Sequence, residues 1–485
     1  MEKKILVRFG ELTLKSDRSR RRFLSRLINN IQDALNNGKL NYKIENLWSR
    51  LLIEVDDIPR AVDILRRVFG IHSIAVVYEY YYDGFRDLIQ KGVELYKDRV
   101  LGKTFAVRAR RVGIHNFTSM DIARELGAEL YKYSRGVDLK NPEVVVKLEV
   151  RYDRVFYYDI LVNAYGGLPI GTQGVAVALV SGGFDSAIAA WYTLKRGAIV
   201  HYIFCNLDGE GYKMDVINVV KVLADNWSYG YKPKLYIIDF TKVVDEIKKT
   251  RMDYWNVILK RMMYRAAENF AKKLKAETII TGESLGQVSS QTLTNLMISQ
   301  EVVSIPINRP LFGFDKEEIM NVARDIGTYD YSAKVQEYCA IIPKRPILRA
   351  SRKVVESEEK KIDFSVLEKA LANVEVIDLR SYELKPADEY GVNELIDGYR
   401  VIDIRDKSTF DKWHVPGAEN IPAAELKENP EKYLDRDDRV ILYCEKGVLA
   451  RQLAHELRRL GYKNVYYFIY GLPKLRKICE SIAKK

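Results

Sequence analysis

Between residues 175 and 282 the chain alternates short, almost wholly apolar runs with stretches whose apolar residues recur every three or four positions. VAVALV, IVHYIF, KLYIID and ETIITG read as strands, and residues 185–196, 214–227 and 241–274 as amphipathic helices between them. Strands that are apolar on both faces, with helical crossovers, are what a doubly wound parallel sheet requires. The N-terminal pattern differs. A strand over 4–9 is followed by a basic stretch, 15–26, leading into a helix whose Phe23, Leu24, Leu27, Ile28, Ile31 and Leu35 share one face. Its arginines then point outward, either as a solvated face or as phosphate contacts. From residue 57 to about 174, helices over 59–68, 85–96 and 119–131 alternate with strands over 73–81, 104–110, 143–151 and 154–163. GGLPIGTQG (166–174) is dense in chain breakers and marks a domain boundary. A charged stretch, KVVESEEKK (353–361), reads as a connector to a last unit in which VEVID, RVIDI and RVILY alternate with helices. No internal repeat period is visible.

Composition narrows the class. The chain has 485 residues, 47% hydrophobic and 30% charged, which excludes wholesale disorder and implies several domains. No apolar stretch approaches the ~18 residues that span a bilayer, and MEKKILVRFGEL lacks the apolar segment of a signal peptide, so a cytosolic protein with no membrane partner is expected. Four cysteines are too few for a disulfide framework, and without a CxxC pair or clustered histidines no metal site is expected. Cys205 and Cys479 read as a sheet-core thiol and a helix residue, and His72, His115, His201, His414 and His455 as packing or surface residues. The formal charge of +12 favours a polyanionic partner, nucleic acid first, although thermophilic proteins are also rich in charge. TFAVRARR sets apolar Phe105 and Val107 against Arg108, Arg110 and Arg111, a sheet with a cationic surface suited to a phosphate backbone.

The chemistry sits directly after VAVALV, where Ser181, Gly182, Gly183, Phe184, Asp185 and Ser186 lead into a helix. At the C-terminal edge of a parallel strand, glycines let the backbone approach phosphate oxygens, and serine hydroxyls and free helix N–H groups donate to them. Asp185 would repel phosphate unless a cation such as Mg2+ intervened, which makes it a metal or transition-state residue; the bland alternative is an ordinary Gly-Ser turn. The run is not a Walker loop. SGGFDS resembles the PP-loop of ATP pyrophosphatases, which adenylate an oxygen and expel pyrophosphate.

With ILVRFGELTLK, FTSMDIARELG, VDLKNPEVVV, GGLPIGTQG, TGESLGQVSSQTL (281–293) and RPLFGFDKEEI (309–319), the chain resembles the tRNA 4-thiouridine synthase (ThiI) family over nearly its whole length. The resemblance implies an α/β multidomain protein. Its parts would be a ferredoxin-like N-terminal domain (1–57), a THUMP RNA-binding domain (58–165), a doubly wound PP-loop domain (174–345), a linker (346–374) and a rhodanese-like sulfurtransferase domain (375–485). It places ATP contacts on Leu179, Val180, Phe204, Cys205, Lys260, Gly282 and Gln291, beside the phosphate cradle of Ser181, Gly182, Gly183 and Ser186. Position 260 is Lys where relatives tend to have Arg, and Arg261 is adjacent. The resemblance makes Lys316 the residue that stabilises charge on departing pyrophosphate, against the reading of a surface lysine at a helix start. It adds Lys140 to Arg108, Arg110 and Arg111 as RNA-binding candidates.

Cys444, in YCEKGVLAR between a strand and a helix, has the setting of a rhodanese active-site loop, in which successive N–H groups, the helix N-terminus and Arg451 favour a thiolate or persulfide. Asp403, Arg405, His414, Pro416 and Gly417 support that resemblance, and Ala450 stands where relatives often have Ser. A buried structural cysteine is the alternative. The resemblance gives Cys339 the role of resolving cysteine, closing a disulfide with Cys444. Together these imply adenylation of a tRNA uridine O4 with ATP and Mg2+, then replacement by sulfur from the Cys444 persulfide to give 4-thiouridine. They further imply a cysteine desulfurase as sulfur donor, a homodimer, and a second outlet into the thiamine thiazole. Three rivals remain at this stage: a PP-loop thiolase of another base or a small molecule, an RNA-binding sulfur carrier with an inactive ATP site, and a basic RNA chaperone.

Overall fold

A computed structural model describes residues 2–11, 16–207, 210–333, 345–383, 390–445 and 447–469, together with 472, 475, 476, 478 and 479. The chain forms two compact units: residues 1–174 with 194–199 and 226–231, and the remainder.

The first unit is built on one eight-stranded sheet: β1 (Lys3–Phe9), β2 (Tyr42–Asn46), β3 (Arg50–Val55), β4 (Ile71–Tyr81), β5 (Thr104–Val112), β6 (Gly136–Val137), β7 (Val144–Arg151) and β8 (Arg154–Asn163), in the order β2-β3-β1-β4-β8-β7-β5-β6. Ile5, Val7, Leu51 and Ile53 pack beneath α1 (Asp17–Asn37) and α2 (Ile58–Leu65), while Phe105, Val107, Val146 and Leu148 pack beneath α3 (Gly84–Val100) and α4 (Ser119–Tyr131). Residues 58–75 complete the first of these cores through Ala61, Ile64, Leu65, Ile71 and Ile74, so the N-terminal fold extends past the expected boundary at 57. Not all arginines of α1 are outward. Arg26 donates to the carbonyls of Ile170 (2.7 Å) and Gly230 (3.0 Å), whereas Arg18, Arg21 and Arg22 are exposed.

The second unit contains a six-stranded sheet, ordered β13-β12-β9-β10-β11-β14, from β9 (Val175–Leu179), β10 (Ile199–Asn206), β11 (Lys234–Asp239), β12 (Thr278–Ile280), β13 (Ile307–Asn308) and β14 (Glu375–Asp378). Its helices are α5 (Phe184–Lys195), α6 (Glu210–Asn226), α7 (Thr241–Ile247), α8 (Trp255–Leu274), α9 (Leu293–Gln300), α10 (Lys316–Ile326), α11 (Tyr329–Ser332), α12 (Arg352–Glu359) and α13 (Ser365–Ala372). The chain leaves β9 toward β10 and β11, then crosses back to place β12 on the other side of β9. That reversal opens a crevice at the C-terminal ends of β9 and β12, where a doubly wound sheet binds its ligand.

The single helix expected over 241–274 is two, α7 and α8. At the break the Thr250 carbonyl accepts from the Trp255 indole (3.0 Å) and the Arg251 N–H donates to Glu358 (2.9 Å), so side chains serve backbone groups that a continuous helix would have paired.

Two expectations about the C-terminal third are corrected. Residues 346–374, expected as a linker, pack into the core of the six-stranded unit: Ala350, Val355, Ile362 and Leu367 are buried with Ile258, Met262 and Ala266 of α8. Glu359 receives Arg261 at 2.9 and 2.7 Å and Arg265 at 2.6 and 3.0 Å. The strand at 375, expected in the rhodanese-like unit, instead pairs antiparallel with β11 (Leu235 opposite Ile377). The last sheet is parallel and five-stranded, β15-β19-β18-β16-β17, from β15 (Gly391–Val392), β16 (Arg400–Asp403), β17 (Glu419–Asn420), β18 (Val440–Tyr443) and β19 (Val465–Phe468), with α14 (Lys407–Phe410), α15 (Ala423–Glu428) and α16 (Val448–Arg459).

Burial would raise the Glu359 carboxyl, but hydrogen bonds and charge from Arg261 and Arg265 outweigh it and hold it below its ordinary value. Its folded value being depressed, its contribution to stability is complete above the unfolded carboxylate range and is lost as pH falls through the folded value. Glu359→Ala, which leaves the Arg261 guanidinium buried without its carboxylate, should cost about 3–5 kcal/mol in denaturant unfolding. Glu356→Ala, on the exposed side of α12, should stay within about 0.5 kcal/mol.

Candidate active site

The loop after β9 is shaped by its own hydroxyls. Ser186 Oγ accepts from the Ser181 N–H (3.0 Å) and donates to the Ser181 carbonyl (3.3 Å), while the Gly183 N–H donates to Ser181 Oγ (3.3 Å) and the Gly182 N–H to the Tyr212 hydroxyl (3.3 Å). These bonds hold residues 181–183 against Ser186 and Tyr212 at the N-terminus of α5, an end of a helix that favours an anion. Val180 is tied to β10 through the Ile203 carbonyl (2.9 Å), and Phe204 and Cys205 are buried at the end of β10. Burial pushes the Cys205 thiol far up.

The neighbouring loop, after β12, comes extraordinarily close. A Cβ on Gly282 would lie 2.5 Å from the Asp185 carbonyl carbon and from the Ser186 nitrogen, so any side chain there would push on backbone. Glu283, which follows, is buried and accepts from the Lys260 ammonium, from the Tyr264 hydroxyl at 2.7 and 2.8 Å, from Thr281 Oγ1 at 3.0 Å and from Arg309 Nε at 2.7 Å. Burial favours the neutral acid, but Lys260 and Arg309 beside it bring the carboxyl down to about 2. Gln291 is buried on the same loop, and its Oε1 has no protein partner among the described residues, a feature that fits a ligand donor. Glu283, Tyr264 and Arg309 are absent from the sequence-derived set. The signal was there in the i, i+4 spacing of Lys260 and Tyr264, which puts both on one helix face.

Lys260 and Arg261 separate cleanly: Lys260 joins Glu283 beside the glycine loop, whereas Arg261 is buried against Glu359 and the Ile298 carbonyl (2.6 Å). Lys316 opens α10 behind an Asp315–Glu318 capping box, and its Nζ lies 3.4 Å from Asp185 Oδ1 and 5.4 Å from the centre of the Phe184 ring. It is an exposed lysine, yet one within reach of the loop. Leu179 is the last residue of β9.

Cys444 follows β18 and is only 5% exposed, with the Ala450 N–H donating to its Sγ at 3.4 Å. Arg405 is locked on Asp403 at 2.6 and 2.9 Å and reaches Glu445 at 3.1 Å. His414 stacks on Phe410 with ring centres 3.9 Å apart, a packing role. Arg451, expected beside the sulfur, pairs with Asp215 of α6 at 2.6 Å. Cys339 lies outside the described residues. In the first unit, Arg108 and Arg110 are exposed on the sheet face away from α3 and α4, opposite Lys147 and Glu149 in register, and Arg108 donates to the Leu139 carbonyl (2.6 Å) next to exposed Lys140. Arg111 lies on the other face, donating to the Gly113 carbonyl (3.3 Å). Around Glu149 the face gathers further cations that sequence reading missed, Arg50 (3.6 Å) and Arg151 (2.5 Å), signalled by the period-two spacing of Lys147, Glu149 and Arg151.

Comparison with known proteins decides the family. Residues 171–364 match the family described as thiamine biosynthesis protein (ThiI), residues 4–75 the ThiI ferredoxin-like domain, 82–158 the THUMP domain and 390–477 the rhodanese-like domain. A tRNA sulfurtransferase of Shigella boydii is 37% identical over 474 residues, covering 95% of this chain and 98% of that protein. The chain belongs to the tRNA sulfurtransferase family. It is accordingly an enzyme. A probable tRNA sulfurtransferase of Saccharolobus islandicus is 43% identical over 373 residues, 76% of this chain and 98% of that one. The crystal structure of a 4-thiouridine synthetase–RNA complex with bound ATP superposes with a TM-score of 0.71 at 34% identity, covering 78% of this chain and 99% of that one. No helix among the described residues is long and apolar enough to cross a membrane.

Gly282→Ala should displace the Asp185–Ser186 peptide and speed amide exchange over residues 182–186 by at least ~10-fold. Gly313→Ala, where a Cβ would meet nothing within 4 Å, should leave that exchange unchanged.

Proposed function

We propose that this sulfurtransferase binds tRNA through its ferredoxin-like and THUMP parts, Arg108, Arg110 and Lys140 among the contacts, and thiolates a uridine at C4. The supporting observation is the meeting of Asp185 and Lys316 over the SGGFDS turn at the switch point of the sheet. In the first step the uridine O4 forms a bond to the α-phosphorus of ATP, the bond from that phosphorus to pyrophosphate breaks, and pyrophosphate leaves. The turn's N–H groups and Ser181 and Ser186 hold the phosphates, backbone around Leu179, Val180, Phe204 and Cys205 lines the adenine side with Gln291 and Gly282, and Lys316 meets the charge that grows on pyrophosphate. Mg2+, which spreads negative charge on the phosphates when bound, fits here as an ion carried in by ATP. Asp185 is the carboxylate placed to meet it, and no group of three metal-ligating side chains occurs among the described residues.

In the second step the outer sulfur of a Cys444 persulfide bonds to C4 and AMP departs with the former O4. Cys339 then attacks Cys444 Sγ. The S–S bond to the base breaks, 4-thiouridine is released, and a Cys339–Cys444 disulfide forms that an external dithiol must reduce before the next cycle. A cysteine desulfurase would reload Cys444, the chain would act as a homodimer, and the same persulfide could supply thiamine thiazole.

Incubation with unmodified tRNA, Mg-ATP, cysteine and a desulfurase should yield RNA with the near-ultraviolet absorbance of 4-thiouridine. Cys444→Ala should abolish that product while keeping tRNA-dependent pyrophosphate release; Asp185→Ala should lower both by roughly 10²-fold or more. No product from the intact protein, with tRNA bound and Cys444 loaded with sulfur, would establish the sulfur-carrier alternative instead.

A further inference from the structure

The Glu283 cluster is heavily invested and belongs to none of the steps above. One buried carboxylate collects donors from three elements: Lys260 and Tyr264 on α8, Thr281 at the end of β12, and Arg309 just beyond β13. It directly follows Gly282, the residue that touches the peptide of Asp185 and Ser186. Any movement of Glu283 is therefore passed to the phosphate turn through a contact with no slack. The charge count is also incomplete. A single carboxylate faces two cations, Lys260 and Arg309, which leaves one positive charge in excess beside a turn shaped for an anion. A buried cluster of this kind is costly unless a further anion completes it, and a nucleotide phosphate is the anion the adjacent turn would bring. Lys260 keeps a partly exposed side chain, and its ammonium has three donors, so bonding to Glu283 does not exhaust it.

We infer that Glu283 is a positioning residue for ATP: acting through Lys260 and Gly282, it holds the cation and the turn in register, and so sets nucleotide affinity rather than the rate of chemistry. The inference rests on the reading of Lys260 as an ATP contact. Its rival is a purely structural ion cluster that stabilises the sheet and has no hold on the nucleotide.

The two roles separate in a double-variant cycle on the full-length protein, reading the dissociation constant of Mg-ATP by calorimetry, the KM for ATP and kcat in tRNA-dependent pyrophosphate release, and thermal unfolding. Positioning predicts that Glu283→Gln and Lys260→Met each weaken ATP binding and raise its KM by ~10-fold or more with kcat within ~3-fold. It also predicts that the double variant is no worse than the poorer single one, because both changes remove the same interaction. Glu283→Asp, which keeps the charge, should recover part of the loss. Val355→Ala, a core variant that removes no donor to Glu283, should lower thermal stability and leave the ATP KM alone, which shows that destabilisation by itself does not mimic the effect. If Glu283→Gln does not fold, the double variant, which removes one charge of each sign, carries the comparison with Lys260→Met. Weakening by Lys260→Met without weakening by Glu283→Gln, or effects that multiply in the double variant, would overturn the positioning role. An unchanged ATP constant in Lys260→Met would overturn the nucleotide reading of Lys260 and this inference with it.

Discussion

Everything in the catalytic unit is arranged around a backbone contact. Gly282 lies so near the peptide joining Asp185 to Ser186 that the loops after β9 and β12 have no room for a side chain between them. The contact exists because the two strands are parallel neighbours, with Ala178 opposite Ile280 in register. Both loops therefore leave the sheet at the same level and on the same edge. Once they are joined, the remaining groups have fixed addresses: Glu283 must turn inward directly behind Gly282, α8 must supply its donors from below, and Lys316 must come across from α10 to reach Asp185. Strands covered on both faces give such an edge its rigidity, which is why they are apolar throughout.

Helix α8 shows how one element serves two purposes without compromise. Positions 260 and 264 lie on one stripe and bind Glu283; positions 261 and 265 lie about 100° further round and bind Glu359. Adjacent basic residues thus face different carboxylates, one beside the nucleotide turn and one on α12. The second pairing draws the segment 346–374 into the core, and β14 then extends the sheet beside β11. Charge on α12 holds a helix in place as well as keeping it solvated.

Much of this was legible from the sequence, and what was not has specific causes. The strand–turn–helix order around SGGFDS, the apolar strands and the cysteine loop after β18 are local patterns, and local patterns survive translation into structure. The choice between Lys260 and Arg261 depended on which stripe of α8 faces the sheet, information held by strands tens of residues away. KVVESEEKK reads as a connector because six of its nine residues are glutamate or lysine at positions that look solvated. Yet Glu358 and Glu359 are buried because the Arg251 N–H and Lys361 meet the first, and Arg261 and Arg265 the second. The break between α7 and α8 was hidden for the same reason, since a tryptophan indole and a distant glutamate satisfy its backbone.

Among the described residues, the SGGFDS turn and the Cys444 loop are built on different electrostatic plans, which suits what each would hold in the proposed reaction. In the proposed reaction a triphosphate carries several charges and would tolerate strong cations, and Lys260, Arg309 and Lys316 stand on Glu283 and Asp185 near that turn. A persulfide in the proposed reaction must remain a nucleophile, and a cation clamped on the sulfur would stabilise the anion at the expense of its reactivity. Among the described residues of the Cys444 loop and its surroundings, Arg405 pairs with Asp403 and Glu445, and Arg451 with Asp215. Among the described residues a peptide N–H, that of Ala450, reaches the sulfur, and because the donor is backbone, a serine hydroxyl at that position is not required for it. That donor is a neutral peptide group, fixed by the backbone of α16 and not by a side chain.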